Sequence, residues 1–436
     1  MKLRLLRRSG STVTSSRLVA YGSMLAMSAL VLSAFASCAE NVDEAPPLED
    51  AATAFPEASS PDAELEAGVP DAGCDASDPS CTTELAPCET VAFCLVPTGV
   101  GYTDALTAVW GTAESDVWAV GSGGTIIHYD GSAWKATPTG VQNTFHAIWG
   151  SGPNDVWVVS STGVVLHGTG YANGTATWTN VPTPITAAAQ AIIRTVWGSS
   201  PDDVRIGGGA FTGMINGRNR RGDQFVKTTL ADGGVGWRPL EGNPLVTSIW
   251  GASSDDVWMA ADNSATNVTT THERGLTFHG TPVDAGVDAS AGDRLVWTPV
   301  DAQSVHRLEA LWGASASDVW AVGAKGTIRR FTAGAERWEK IASPTEQTLR
   351  AVWGSGPNDI WIVGDGGTIL HFDGTKVEAS SAQLPLGPKP NLRGVWGSGP
   401  NDVWIVGDNA ALHYTGAKDG TKNGPKNGPK NGMGGQ

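Results

Sequence analysis

The chain has 436 residues, 56 of them glycine, and shows little helix-favouring apolar periodicity, which points to an all-β, turn-rich class. Its formal charge of −15 is unevenly spread: residues 1–38 carry Lys2, Arg4, Arg7, Arg8 and Arg17 and no acid, residues 39–87 carry 13 carboxylates and no Lys or Arg, and the rest holds −7. No basic face is visible, so a nucleic-acid partner is disfavoured.

Residues 1–17 are basic, and Leu18 to Phe35 is mostly apolar, followed by small residues and Cys38. This is the pattern of an export signal rather than of a folded element. Phe35-Ala36-Ser37-Cys38 resembles a bacterial lipobox, in which the cysteine is lipidated and becomes the mature N-terminus; Phe35 departs from the usual Leu. Ala39 resembles outer-membrane rather than inner-membrane lipoproteins. Cleavage without lipidation and an uncleaved anchor are the alternatives. Arg7-Arg8 lacks the neighbours of a twin-arginine signal. Residues 1–37 are therefore expected to be a lipoprotein signal peptide, with Cys38 as lipidation site and the membrane engaged through that anchor.

Residues 38–87 are rich in Ala, Pro, Asp, Glu and Ser. Such a segment cannot bury enough apolar surface to offset the entropy of ordering, so a disordered acidic tether is expected. Cys74, Cys81, Cys88 and Cys94 suggest two disulfides in an exported protein, with three pairings open. Their spacings of seven, seven and six do not fit the paired pattern of a zinc site.

Residues 88–416 contain one unit repeated seven times. Its first Trp falls at Trp110, Trp149, Trp197, Trp250, Trp312, Trp353 and Trp396, each followed by Gly, a turn ending in Asp and a short apolar run. A period of about 40 residues built from short strands predicts a β-propeller with four strands, A to D, per blade. In blade six, strand A is Leu349 to Trp353, a turn runs from Ser355 to Asp359, strand B is Ile360 to Val363, and strand C is Thr368 to Phe372. All 18 Trp are periodic: the seven above, six in strand B (Trp118, Trp157, Trp258, Trp320, Trp361, Trp404) and five opening strand D (Trp134, Trp178, Trp237, Trp297, Trp338). Periodicity of this kind predicts packing between blades rather than sugar platforms.

Blade seven lacks strand D. Ala92 to Val100 parallels Ala133 to Val141, which is strand D of blade one. The N-terminal segment is therefore expected to complete blade seven and close the ring.

The motif Val-Trp-Gly…Asp-Val-Trp-x-Val-Gly…Gly-Thr-Ile-x-His…Asp-Gly…Trp resembles the Asp-box (BNR-type) propellers, a group that includes sialidases and photosystem II assembly-factor propellers. It also resembles bacterial propeller lipoproteins without assigned activity. The resemblance spans roughly residues 90–416 and implies a fold, not an activity.

Departures from the repeat are the candidate binding positions, because propeller function sits on loops at one end of the ring. In blade three Arg205 replaces the strand-B Trp, and an insertion from Gly209 to Gly222 carries Arg218, Arg220 and Arg221. Blade four has an insertion from Asp262 to Gly275 with His272, Glu273 and Arg274. Together these residues are expected to form a recognition surface, against the simpler alternative of solvated length variation. Pro282 to Asp293 reads as a flexible insertion between strands C and D.

The repeated His128, His167, His279, His371 and His413 belong to different blades and cannot converge on one metal. The repeated Asp residues read as turn formers. No phosphate loop, dinucleotide fingerprint or nucleophile elbow is present, so no catalytic residue, metal or cofactor is assigned. Residues 417–436 are a basic, breaker-rich tail.

The reading is an all-β, seven-bladed propeller, exported and held at the cell outer membrane. It is expected to act as a monomeric, non-enzymatic module that binds an envelope protein or polysaccharide. A sialidase-like hydrolase or lyase and a structural envelope protein are the alternatives.

Overall fold

The computed structural model describes residues 85–185, 191–211, 220–240, 244–262, 275–283, 293–414 and 416. They form seven four-stranded antiparallel sheets. The A strands are Leu106–Ala113, Phe145–Gly152, Ile192–Ser200, Leu245–Ser253, Leu308–Ser315, Leu349–Gly356 and Leu392–Gly399. The B strands are Asp116–Gly121, Asp155–Ser160, Asp203–Phe211, Asp256–Asp262, Asp318–Gly323, Asp359–Gly364 and Asp402–Gly407. The C strands are Ile126–Tyr129, Val165–Ala172, Arg220–Thr229, Gly275–Pro282, Thr327–Thr332, Ile369–Phe372 and Ala410–Tyr414. The D strands of blades one to six are Trp134–Ala136, Thr175–Asn180, Val235–Leu240, Leu295–Val300, Glu339–Ile341 and Val377–Ala379.

The expected A–B turn is shorter than its sequence. In blade six, strand A runs on to Gly356 and strand B begins at Asp359, so Pro357-Asn358 alone makes the hairpin turn. Ser355 Oγ donates to the Asp359 carboxylate across it. The B–C connection is a 3-10 turn, Asp365–Gly367, where Gly366 and Gly367 take φ of 62° and 71°, a region that side chains with a Cβ rarely enter.

Blade seven is completed from the other end of the chain. Cys94–Leu95 pairs antiparallel with Ala410–Tyr414, placing Cys94 opposite His413 and Leu95 opposite Leu412. Val96 N–H donates to the Ala411 carbonyl at 2.9 Å, and a disulfide ties Cys94, the first residue of this strand, to Cys88. Phe93, fully buried, stands where blade one has Trp134.

Seven apolar clusters hold the ring. In six of them the strand-B Trp of one blade packs into the next blade, as Trp118 does with Phe145, Ile148, Val156 and Val158. Strand-D aromatics meet these Trp edge-on: Trp178 on Trp118 at 5.5 Å, Trp237 on Trp157 at 5.4 Å, Trp338 on Trp258 at 5.3 Å and Trp134 on Trp404 at 5.2 Å between centroids.

The inner strands lock by a second rule. A Cβ built on Gly150 would lie 2.4 Å from the Trp110 ring, and the same clash recurs at Gly198 with Trp149, Gly251 with Trp197, Gly313 with Trp250, Gly354 with Trp312, Gly397 with Trp353 and Gly111 with Trp396. Each strand-A Trp therefore lies on the Gly that follows the Trp of the next blade. The Trp-Gly pair is a single packing device, and the seventh contact, Trp396 on Gly111, closes the circle.

Candidate functional site

The start of strand A and the end of strand B lie at the same end of each blade, so the B–C and D–A connections share one face of the ring. Direct bonds join them: Gly326 N–H donates to the Gln347 carbonyl at 2.9 Å and Gly367 N–H to the Pro390 carbonyl at 2.7 Å.

A β-bulge sits at the same place in every inner strand on this face. Register shifts leave one extra residue in each: Thr107, His146, Arg194, Thr247, Glu309, Arg350 and Arg393. A bulge re-aims a side chain without ending the strand. The bulged residues sense one another around the channel mouth: burial, with Arg194 of blade three and Arg393 of blade seven in electrostatic reach, pushes His146 down to about 4. His146 Nε2 lies 2.8 Å from Ser161 Oγ. Hydrogen bonding to Asp365, one contact at 2.8 Å, raises Arg350 despite its burial, with Glu309 and Asp408 adding to the field. Arg393 donates to Asp408 at 2.7 Å and Arg307 lies 3.4 Å from Glu309. Burial alone would raise the Asp408 carboxyl, but Arg393 and Asn391 hold it below the usual carboxylate range. In blades five to seven the mouth thus carries three guanidinium–carboxylate pairs.

Around it the D–A connections expose large apolar side chains: Tyr102 is 92% exposed, Val305 62% and Leu386 51%. An exposed Tyr and exposed aliphatics at the same end as the paired guanidinium groups of Arg350 and Arg393 suit a protein contact.

The residues expected to bind fall differently. Arg205 is a correction: it is 1% exposed and cannot meet a partner. Its guanidinium forks onto Asp293 at 2.9 and 3.0 Å and lies 6.0 Å from the Trp297 ring. Arg220 and Arg221 belong to strand C of blade three, opposite Phe211 and Ala210, rather than to a loop, since strand B runs on to Phe211. Arg218, His272, Glu273 and Arg274 lie outside the described residues, as do Cys38, Cys74 and Cys81. Of the four cysteines in the tether region, Cys88 and Cys94 are paired.

The repeated His and Asp form one structural unit. His128 Nε2 lies 2.7 Å from Asp116, His167 2.7 Å from Asp155, His371 2.6 Å from Asp359 and His413 2.6 Å from Asp402. His279 sits 3.3 Å from Asp256, and in blade five Arg330 takes the place of His, forking onto Asp318 at 2.7 and 2.8 Å. Four of these imidazoles stack on the strand-B Trp of their own blade at 3.9 to 4.4 Å. They serve the scaffold on the face opposite the mouth. The spacing of 12 residues from Asp116 to His128, Asp155 to His167 and Asp359 to His371 carried this signal in the sequence.

No protein-family model matches the chain, and no curated protein matches it. Solved structures do. The structure described as YCF48 bound to D1 peptide aligns over 76% of this chain and 99% of its own, with a TM-score of 0.50 and 16% identity. YCF48 from Cyanidioschyzon merolae aligns over 74% and 98%, with a TM-score of 0.52 and 15% identity. The likeness is one of fold. The chain is a seven-bladed propeller with YCF48 among its structural neighbours.

Proposed function

We propose that this propeller is a non-enzymatic binding or assembly module that docks a protein at the channel mouth of its D–A face. The observation that carries this reading is the conjunction at one end of the ring of the bulge-aimed Arg350 and Arg393, with their acidic partners, and the exposed Tyr102, Val305 and Leu386. The bulges hold Arg350 and Arg393 on strands rather than on loops, so little order need be gained at these two positions on binding. A structural neighbour of the same fold carries a D1 peptide, which supports a protein partner for such a ring.

The docking module is held at the cell outer membrane by lipid on Cys38, with residues 38–87 as the spacer. Pull-down from envelope extract with the full chain tests the docking claim. Tyr102→Glu with Leu386→Glu, both exposed and outside the core, is expected to lose the captured protein while leaving thermal unfolding unchanged. Undiminished capture by that variant overturns the assignment of the face. Turnover of a glycoside panel by the wild-type chain overturns the non-enzymatic reading.

A further inference from the structure

One seam of the ring is built differently from the other six. In each blade three side chains face the following blade: two from strand B and one from strand C. In blade one they are Trp118, Val120 and Ile126, all buried against blade two. In blades two, five and six they are a Trp with two aliphatic residues. In blade three they are Arg205, Gly207 and Gln224. Accordingly the apolar cluster between blades three and four draws its buried members from blade four, with Trp197 alone from blade three.

What replaces the apolar face is polar. Arg205 forks onto Asp293, whose carboxylate also accepts from Trp297 Nε1 at 2.8 Å and from Leu295 N–H. Asp203 lies 3.8 Å from Arg205 and 3.2 Å from Arg294, so the charges alternate across the joint. Gln224 is fully buried, and neither polar atom of its carboxamide has a partner among the described residues. Gly207 leaves the place of Val120 to Val246 of blade four. A buried ion pair stabilises less than aromatic packing of similar volume, and an unpartnered buried amide opposes closure outright. The joint where the chain's two ends meet is well packed by contrast: Phe93, Trp361, Val403, Ile405 and Leu412 share one cluster.

We propose that the seam between blades three and four is the ring's opening joint, held shut by the Arg205–Asp293 fork, and that the ring parts there before it parts at blade seven. Opening of this joint moves blades three and four apart and leaves the other five as one body.

Native-state hydrogen exchange of the full chain under mild denaturant tests this. Amides of strand B in blade three and strand A in blade four are expected to exchange through a partial opening, at least tenfold faster than those of strands B in blades six and seven. Asp293→Asn is expected to speed exchange at this seam a further tenfold or more and to leave blade seven within twofold. Gln224→Ile, which restores the aliphatic residue of the other blades, is expected to slow it. Exchange of both regions in a single global event in the wild type overturns the proposal. So does uniform acceleration by Asp293→Asn. Should Asp293→Asn fail to fold, the wild-type profile and Gln224→Ile still decide.

Discussion

Phe93 packs edge-on against Trp361, ring centroids 5.0 Å apart at 85°, and so reproduces at the junction of the chain's ends the contact of Trp134 with Trp404 at 5.2 Å and 86°. A residue 268 positions upstream in sequence thus fills the strand-D aromatic place of blade seven. Phe93→Ala removes a fully buried ring and should cost about 3–5 kcal/mol, read as a lower denaturant midpoint with an unchanged slope. Phe93→Trp, which restores the residue of blades one to five, should cost far less. Equal stability of Phe93→Ala and wild type would show that ring closure does not depend on this contact.

Trp-Gly packing gives a paired prediction. A Cβ at Gly397 would meet Trp353 at 2.6 Å, whereas one at Gly399, two residues on in the same strand, meets open space. Gly397→Ala should destabilise by about 1–3 kcal/mol through overpacking, and Gly399→Ala should stay within about 0.5 kcal/mol of wild type. Similar melting temperatures for the two variants would contradict the device.

The Asp–His pairs set an acid limit. Burial raises the Asp402 carboxyl, but hydrogen bonds from His413 and Ser398 outweigh it and hold the group below its ordinary 3.8. Asp116 and Asp155 shift the same way, and the exposed turn acids Asp130 and Asp373 are held at about 2 by Ser132 and Thr375 and by backbone N–H groups. Depressed folded-state values mean that stability from these groups is present above pH 3.8 and is lost as pH falls toward 2. The urea midpoint should therefore drop across that window. Asp402→Asn should lower the midpoint at pH 7 and flatten the acid limb; an unchanged limb would remove Asp402 from the account.

Much of the scaffold was legible because the repeat states it seven times. Trp353, Gly354 and Asp359 mean little alone, and their siblings show them to be packing and turn residues. Ring closure was legible for the same reason, since Ala92 to Val100 copies Ala133 to Val141. Arg205 was misread because a charge at a core position looks like a surface departure. Its partner Asp293 lies 88 residues downstream, beyond any local pattern. The bulged ring was not legible either. A bulge breaks the two-residue alternation by which strand faces are read, and its seven occupants, from Thr107 to Arg393, are spread over Thr, His, Arg and Glu. The His–Asp pairing was visible as a spacing but needed the strand B–strand C register, Trp361 opposite His371, to be seen as a contact.

The docking face is tested most directly by site-specific photo-crosslinking of the full chain in envelope extract. A photoreactive residue is placed at Tyr102 or Leu386 on the mouth face, and at Leu230 on the C–D turn of blade three or Val235 at the start of its strand D, at the opposite face, all of them exposed. The account predicts a discrete protein adduct from Tyr102 and Leu386 and none from Leu230 or Val235. Adducts arising from Leu230 and Val235 alone would contradict it.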